Sequence, residues 1–193
     1  MNFYLKVLLL TLSTVLIQHF SRFFYIVQGW GNSLLKHYPG DCHVVSGFST
    51  YGSEDMTLLP DGKVLISSGM FGLQPNFDYS KSQAKGIIYI MDTNKSFTSV
   101  EKLDVVGWPE SAHFEPHGIH YWEHQNKSVS VFVILHMPEV VARFTYDGRK
   151  TLTLSKVYED KQLFRDLNGI FVTSEDSFYV TNIFHARHQV QPS

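Results

Sequence analysis

Apolar residues in this chain gather into short blocks separated by turn residues, a pattern of strands and tight turns. Met56 to Leu59 is a short apolar run, Pro60-Asp61-Gly62 supplies a turn with fixed and positive φ, and Val64 to Ile66 resumes the apolar character. Gly86 to Asp92 reads as a buried strand ending in a turn. Val129 to Leu135, Val140 to Tyr146 (closed by Asp147-Gly148) and Phe178 to Thr181 read likewise, and Val140 to Tyr146 is the counterpart of Gly86 to Asp92 in a second repeat. Phe71 to Gln83 has no periodicity and carries Pro, Gly and Asn, so a surface loop is expected there.

The strand–turn–strand block recurs. Gly52-Ser53-Glu54-Asp55-Met56 is echoed by Pro116-His117-Gly118-Ile119 and by Leu167-Asn168-Gly169-Ile170. Aligned on these strands, Glu54, His117 and Asn168 share one position, and Met56, Ile119 and Ile170 share the position two residues later. Spacings of roughly 50–65 residues suit the four-stranded blade of a β-propeller, whose equivalent residues face a common axis. The other reading is that each polar residue merely opens a strand after a loop.

Hydrophobic residues make up 44%, charged residues 18% and aromatics 15% of the 193 residues, enough apolar material for a core and too little charge for general disorder. A net charge of −2 with no long basic run gives no footprint for nucleic acid. At the N-terminus, Lys6 precedes the apolar run Val7 to Ile17, shorter than a full span of about 20 residues. Gln18, His19 and Arg22 interrupt it, Phe23 to Val27 resume it, and no small-residue cleavage site follows. Residues 1–27 are therefore read as a signal anchor or uncleaved signal peptide, with a cleaved signal and an interfacial helix as alternatives. The remainder is expected on the luminal or extracellular side, or secreted: a β unit over 28–185 and a polar tail over 186–193.

Asn94-Lys95-Ser96 and Asn126-Lys127-Ser128 are glycosylation sequons in expected turns. Cys42 is the single cysteine; it reads as buried and inert, with an unpaired or interchain-bridged thiol as alternatives. Adjacent carboxylates Glu54 and Asp55, beside glycines and serines, suit a hard cation such as calcium. His113, His117, His120 and His124 have helix-like spacing that invites a zinc reading, which Pro116 and Gly118 oppose. On a strand His120 would point opposite His117. His117, at the repeat position, is the candidate general base near neutral pH, and His136 a weaker companion.

Taken in order, Asp41-Cys42, Gly52-Ser53-Glu54-Asp55, Leu59-Pro60-Asp61-Gly62, Ile66-Ser67-Ser68-Gly69, Pro116-His117-Gly118-Ile119 and Leu167-Asn168-x-Ile170 closely resemble the paraoxonases. The resemblance runs from about Asp41 to Asn182 and covers the N-terminal half of a full-length member. It implies an all-β fold, a six-bladed propeller of which about three blades are present here, behind an N-terminal hydrophobic helix. It also implies calcium-dependent hydrolysis of aryl esters and lactones. Glu54 and Asn168 match ligands of the family's catalytic calcium, Asp55 and the carbonyl of Ile119 match ligands of its structural calcium, and His117 matches the proposed general base. Cys42 matches a cysteine that the family bridges to one near its C-terminus.

Departures from the family pattern point elsewhere. Leu167-Asn168-Gly169-Ile170 stands where the family has Leu-Asn-Asp-Ile, so one structural-calcium carboxylate is missing. His136-Met137-Pro138 stands where it has Asn-His-Pro, so the second histidine of its dyad aligns with Met137, and His136, one residue early, is expected to face the other way. Thr181-Asn182-Ile183 stands for Thr-Asn-Asp. The remaining catalytic-calcium ligands and the partner of Cys42 belong to the family's second half. Two functions follow: an ester or lactone hydrolase, or a non-catalytic, membrane-anchored scaffold that assists assembly of a membrane-protein client, as nematode members of the family are understood to do for ion channels.

Overall fold

The computed structural model describes residues 2–27, 29, 44–48, 52–69, 85–95 and 99–183. Cys42, the Phe71–Gln83 segment and the polar tail lie outside the described residues. The chain divides into two units, Met1–His43 and Val44–Ser193.

In the first unit, helix α1 spans Phe3–Val27. It contains neither Gly nor Pro, and Asn2 Oδ1 accepts the amide of Tyr4 at 3.3 Å as an N-cap. Its 25 residues extend about 37 Å, enough for a hydrocarbon core of about 30 Å, and none of them is buried. Thr11 and Thr14 return their hydroxyl protons to the carbonyls of Val7 and Leu10, both at 2.9 Å, so each satisfies itself within the helix. The element is longer than the apolar run Val7–Ile17, because Gln18, His19 and Arg22 are carried on it rather than ending it.

The second unit is all β. Strands β1 (Ser53–Leu58), β2 (Lys63–Ser68), β3 (Ile87–Asp92) and β4 (Glu101–Lys102) form one sheet in chain order. Gly62, at φ +83, closes the β1–β2 turn, and a Cβ there would meet the side-chain amide of Asn94 at 2.6 Å. A second sheet has the order β5-β9-β8-β7-β6, from β5 (Asp104–Val106), β6 (Glu115–Glu123), β7 (Val129–His136), β8 (Val140–Tyr146) and β9 (Thr151–Tyr158). Only the β5–β9 pairing in it is parallel. Strands β10 (Leu167–Ser174) and β11 (Ser177–Asn182) pair as a third sheet.

The three sheets meet through their first strands: β6 packs against β1 on one side and β10 on the other. This repetition of meanders side by side is consistent with part of a propeller. It also explains the unbroken apolar run of β7. Val131, Val133 and Leu135 enter the core shared with Leu65, Ile88 and Ile90 of the first sheet. Phe132 and Ile134, alternating with them, enter the core shared with Leu167, Ile170 and Val172 of the third. All five β7 residues are fully buried, each worth about 1.5–3 kcal/mol against exposure.

Met56, Ile119 and Ile170 each resume the pairing of their strand after an irregularity, in keeping with the alignment, but they differ in burial. Ile119 belongs to the first core and Ile170 to the second, whereas Met56 belongs to neither and is 67% exposed.

Candidate functional site

Each first strand is irregular at the same place. Pairing slips between Ser53 and Met56 in β1, between Pro116 and Ile119 in β6, and between Leu167 and Ile170 in β10. These three bulges contain Glu54, His117 and Asn168. An extra residue bends a strand and re-aims its side chains, and here it does so at the residues that the repeat alignment places together.

The side chain of His117, 2% exposed, sits at the centre. Its Nδ1 lies 3.0 Å from the carbonyl oxygen of Asn168 and 3.3 Å from Glu54 Oε2. A carbonyl can only accept, so Nδ1 carries a proton, and the tautomer this selects has its lone pair on Nε2. Gly118 makes this approach possible: a Cβ there would fall 2.5 Å from the Asn168 carbonyl oxygen and 3.0 Å from Ile134 Cδ1.

Burial pushes the Glu54 carboxyl above the ordinary carboxylate range, against the attraction of His117; Asp55 raises it further and His136 opposes. Asp55 reaches across to β6. Its Oδ2 accepts the amide of Ile119 at 2.9 Å, its Oδ1 accepts that of Met56 at 2.8 Å, and its own amide donates to Ser67 Oγ at 3.1 Å. One carboxylate thereby ties the first sheet to the second.

His136 corrects the expectation drawn from strand alternation. Its ring lies edge to face against that of His117, centroids 4.9 Å apart and planes at 70°. Glu115 is the cross-strand partner of His136, and His117, two residues on from Glu115, lies on the same face. Met137 is not on the strand at all: β7 ends at His136, and Met137 takes φ +57 and is 48% exposed. Alternation had been carried one residue past the end of the strand.

A further participant, unmarked in the sequence reading, is Glu139. Its Oε2 accepts from His136 Nδ1 at 2.8 Å, while its Oε1 accepts the amide of Leu167. Burial alone would lower the His136 pKa; the hydrogen bond and charge of Glu139, with Glu115 and Asp166 behind, overcome it and raise it. An acidic residue three positions after a histidine was the available signal.

The other histidines go elsewhere. His120 stacks on Tyr121 and tilts against Phe171, and His124 Nε2 lies 2.8 Å from Ser130 Oγ. Gly169, where the family resemblance implies an aspartate, has no side-chain carboxylate, and its amide donates to Thr181 Oγ1 at 2.9 Å. Asn182 staples the preceding loop, accepting from the Arg165 amide and donating to the Leu163 carbonyl, both at 3.1 Å.

Among the described residues no three His, Cys, Asp or Glu side chains converge as a metal cluster. The donor chemistry nonetheless fits a hard cation. Glu54 offers carboxylate oxygens beside a second carboxylate, Asp55, and Asn168 carries a side-chain amide oxygen, all hard donors. Calcium takes six to eight oxygens, more than these residues supply.

Adjacent β meanders carry a buried histidine between a carboxylate and an asparagine at a shared bulge, an arrangement consistent with part of a propeller. The arylesterase family model matches residues 36–189, and the chain belongs to that family. It is 29% identical over 146 residues to serum paraoxonase/lactonase 3 of Homo sapiens and 32% identical over 149 residues to serum paraoxonase/arylesterase 1 of Mus musculus. It is 29% identical over 146 residues to serum paraoxonase/arylesterase 2 of Gallus gallus. Each match covers 74% of this chain and 40% of the relative, so the chain spans about two fifths of these relatives' length.

Proposed function

We propose that these residues serve a paraoxonase-like hydrolysis of carboxylic esters, aryl esters and lactones, with calcium. The observation that carries the reading is the tethering of His117 Nδ1 between the Asn168 carbonyl and the Glu54 carboxylate, which leaves Nε2 as the base. His117 Nε2 takes a proton from a water whose oxygen adds to the ester carbonyl carbon. The C–O bond to the alcohol or phenol then breaks, and the proton held on His117 Nε2 passes to the leaving oxygen, which restores the base. His136 stands in for the second histidine of the family's pair, from a neighbouring position. Glu54 and Asn168 would hold a calcium ion, which when bound supplies carbonyl polarisation and oxyanion stabilisation. Asp55 and the Ile119 carbonyl are the proposed structural-calcium residues; the Asp55–Ile119 hydrogen bond keeps that pair together.

The test is phenyl acetate turnover by the detergent-solubilised chain, with calcium and then with excess chelator. Turnover that chelation abolishes supports the reading, and turnover indifferent to chelation contradicts the role of calcium.

A second reading, a non-catalytic membrane-anchored scaffold for a membrane-protein client, is favoured by the apolar α1 and by glycine at position 169. It expects a membrane protein to be recovered after mild crosslinking in native membranes. Recovery of none, alongside measurable turnover, sets it aside.

A further inference from the structure

One carboxylate touches both halves of the histidine pair's support. Glu139 stands just beyond the end of β7, with His136 bonded to one of its oxygens and the amide of Leu167 to the other. Leu167 opens β10, and the next residue along, Asn168, is the one whose carbonyl holds His117 Nδ1. The orientation of both imidazoles thus runs through Glu139: directly for His136, through the start of β10 for His117.

Carboxylates accept only, so the 2.8 Å contact requires a proton on His136 Nδ1 and leaves Nε2 as its other nitrogen. Groups facing His136 are Glu139, the cross-strand Glu115, Asp166 on the approach to β10, the ring of His117, and Glu54 beyond it. Glu139 accepts a hydrogen bond from His136 Nδ1 at 2.8 Å.

We propose that Glu139 is a positioning residue of this site, fixing His136 as its Nδ1–H tautomer against His117 and anchoring the start of β10 that orients His117. Its consequence for rate rests on the hydrolase reading; the fixing of the ring does not.

The experiment uses the full chain in detergent, wild type and Glu139→Gln. The amide keeps an acceptor for the Leu167 N–H and removes the charge. Imidazole nitrogen NMR of the wild type should show His136 as the Nδ1–H tautomer. In E139Q its titration midpoint should move to lower pH, with backbone resonances outside the site unchanged. With phenyl acetate, kcat should fall on the order of tenfold to a hundredfold with KM nearly constant. A wild-type His136 found as the Nε2–H tautomer overturns the proposal without any variant having to fold, and so does an unshifted titration in E139Q. Absence of wild-type turnover would contradict the hydrolase reading, while the NMR results would still decide the role of Glu139.

Discussion

At the scale of single residues, the site is a set of polar groups held under tension by burial. Glu54 has its carboxyl raised by burial, so in the calcium-free protein its charge is a cost above the ordinary carboxylate range. Glu54→Gln should accordingly raise the urea midpoint of the calcium-free chain at neutral pH and abolish any rise on adding calcium, two effects separable in one denaturation series. A lowered midpoint without calcium would contradict this account of the carboxyl. His136 works in the opposite sense. Its folded pKa is raised by Glu139, which outweighs burial, so the stability it contributes is fully present below about pH 6.5 and is lost as pH climbs through the folded value. Urea midpoints of the wild type should therefore fall over that window by more than those of His136→Asn. Parallel curves would mean that the His136–Glu139 pair contributes nothing.

At the scale of elements, three bulged strands place one residue each at a common point, and glycine sets how closely they approach. Gly118→Ala would press a methyl group onto the backbone carbonyl of Asn168, an oxygen that cannot swing aside, and should cost about 1–3 kcal/mol, read from chemical denaturation. The sequons divide in the same structural terms. Asn126 Oδ1 accepts from the Ser128 amide and hydroxyl, at 3.1 and 2.7 Å, leaving its nitrogen outward on an exposed turn. The Asn94 side-chain nitrogen instead donates to the Asp61 carbonyl at 3.1 Å and packs on Gly62. Asn126→Gln should remove a glycan mass shift from protein made in a secretory host, and Asn94→Gln should remove none. Much of this level was legible beforehand: β7 stands out because it is apolar on both faces, β8 because Val140, Ala142, Phe144 and Tyr146 alternate, the β1–β2 turn because Pro and Gly fix it, and the repeat position because a polar residue opens each strand. Strands β4, β5 and β9 were not legible, since Glu101, Lys102, Asp104, Thr151 and Lys156 dilute their apolar positions on exposed or half-exposed faces. The bulges were half legible, through Gly118 and Gly169. His136 was misread because no local signal shows where β7 stops.

For the whole molecule, an apolar helix and an all-β unit occur in one chain that belongs to the arylesterase family. Removing residues 1–27 should shift the protein from the carbonate-resistant membrane pellet to the soluble fraction if α1 anchors it. Retention in the pellet would assign membrane attachment to the β unit. Family membership, the bulged inner strands and the tethered buried histidine all bear on one claim, that His117 is the base of an ester hydrolysis. The measurement that meets it most directly is the initial rate of phenyl acetate hydrolysis by wild type and His117→Gln at saturating calcium, with equal folding verified by circular dichroism. The account predicts a calcium-dependent wild-type rate and a loss of roughly 100-fold or more in the variant, the usual scale of a general base. Equal rates for the two proteins would contradict it.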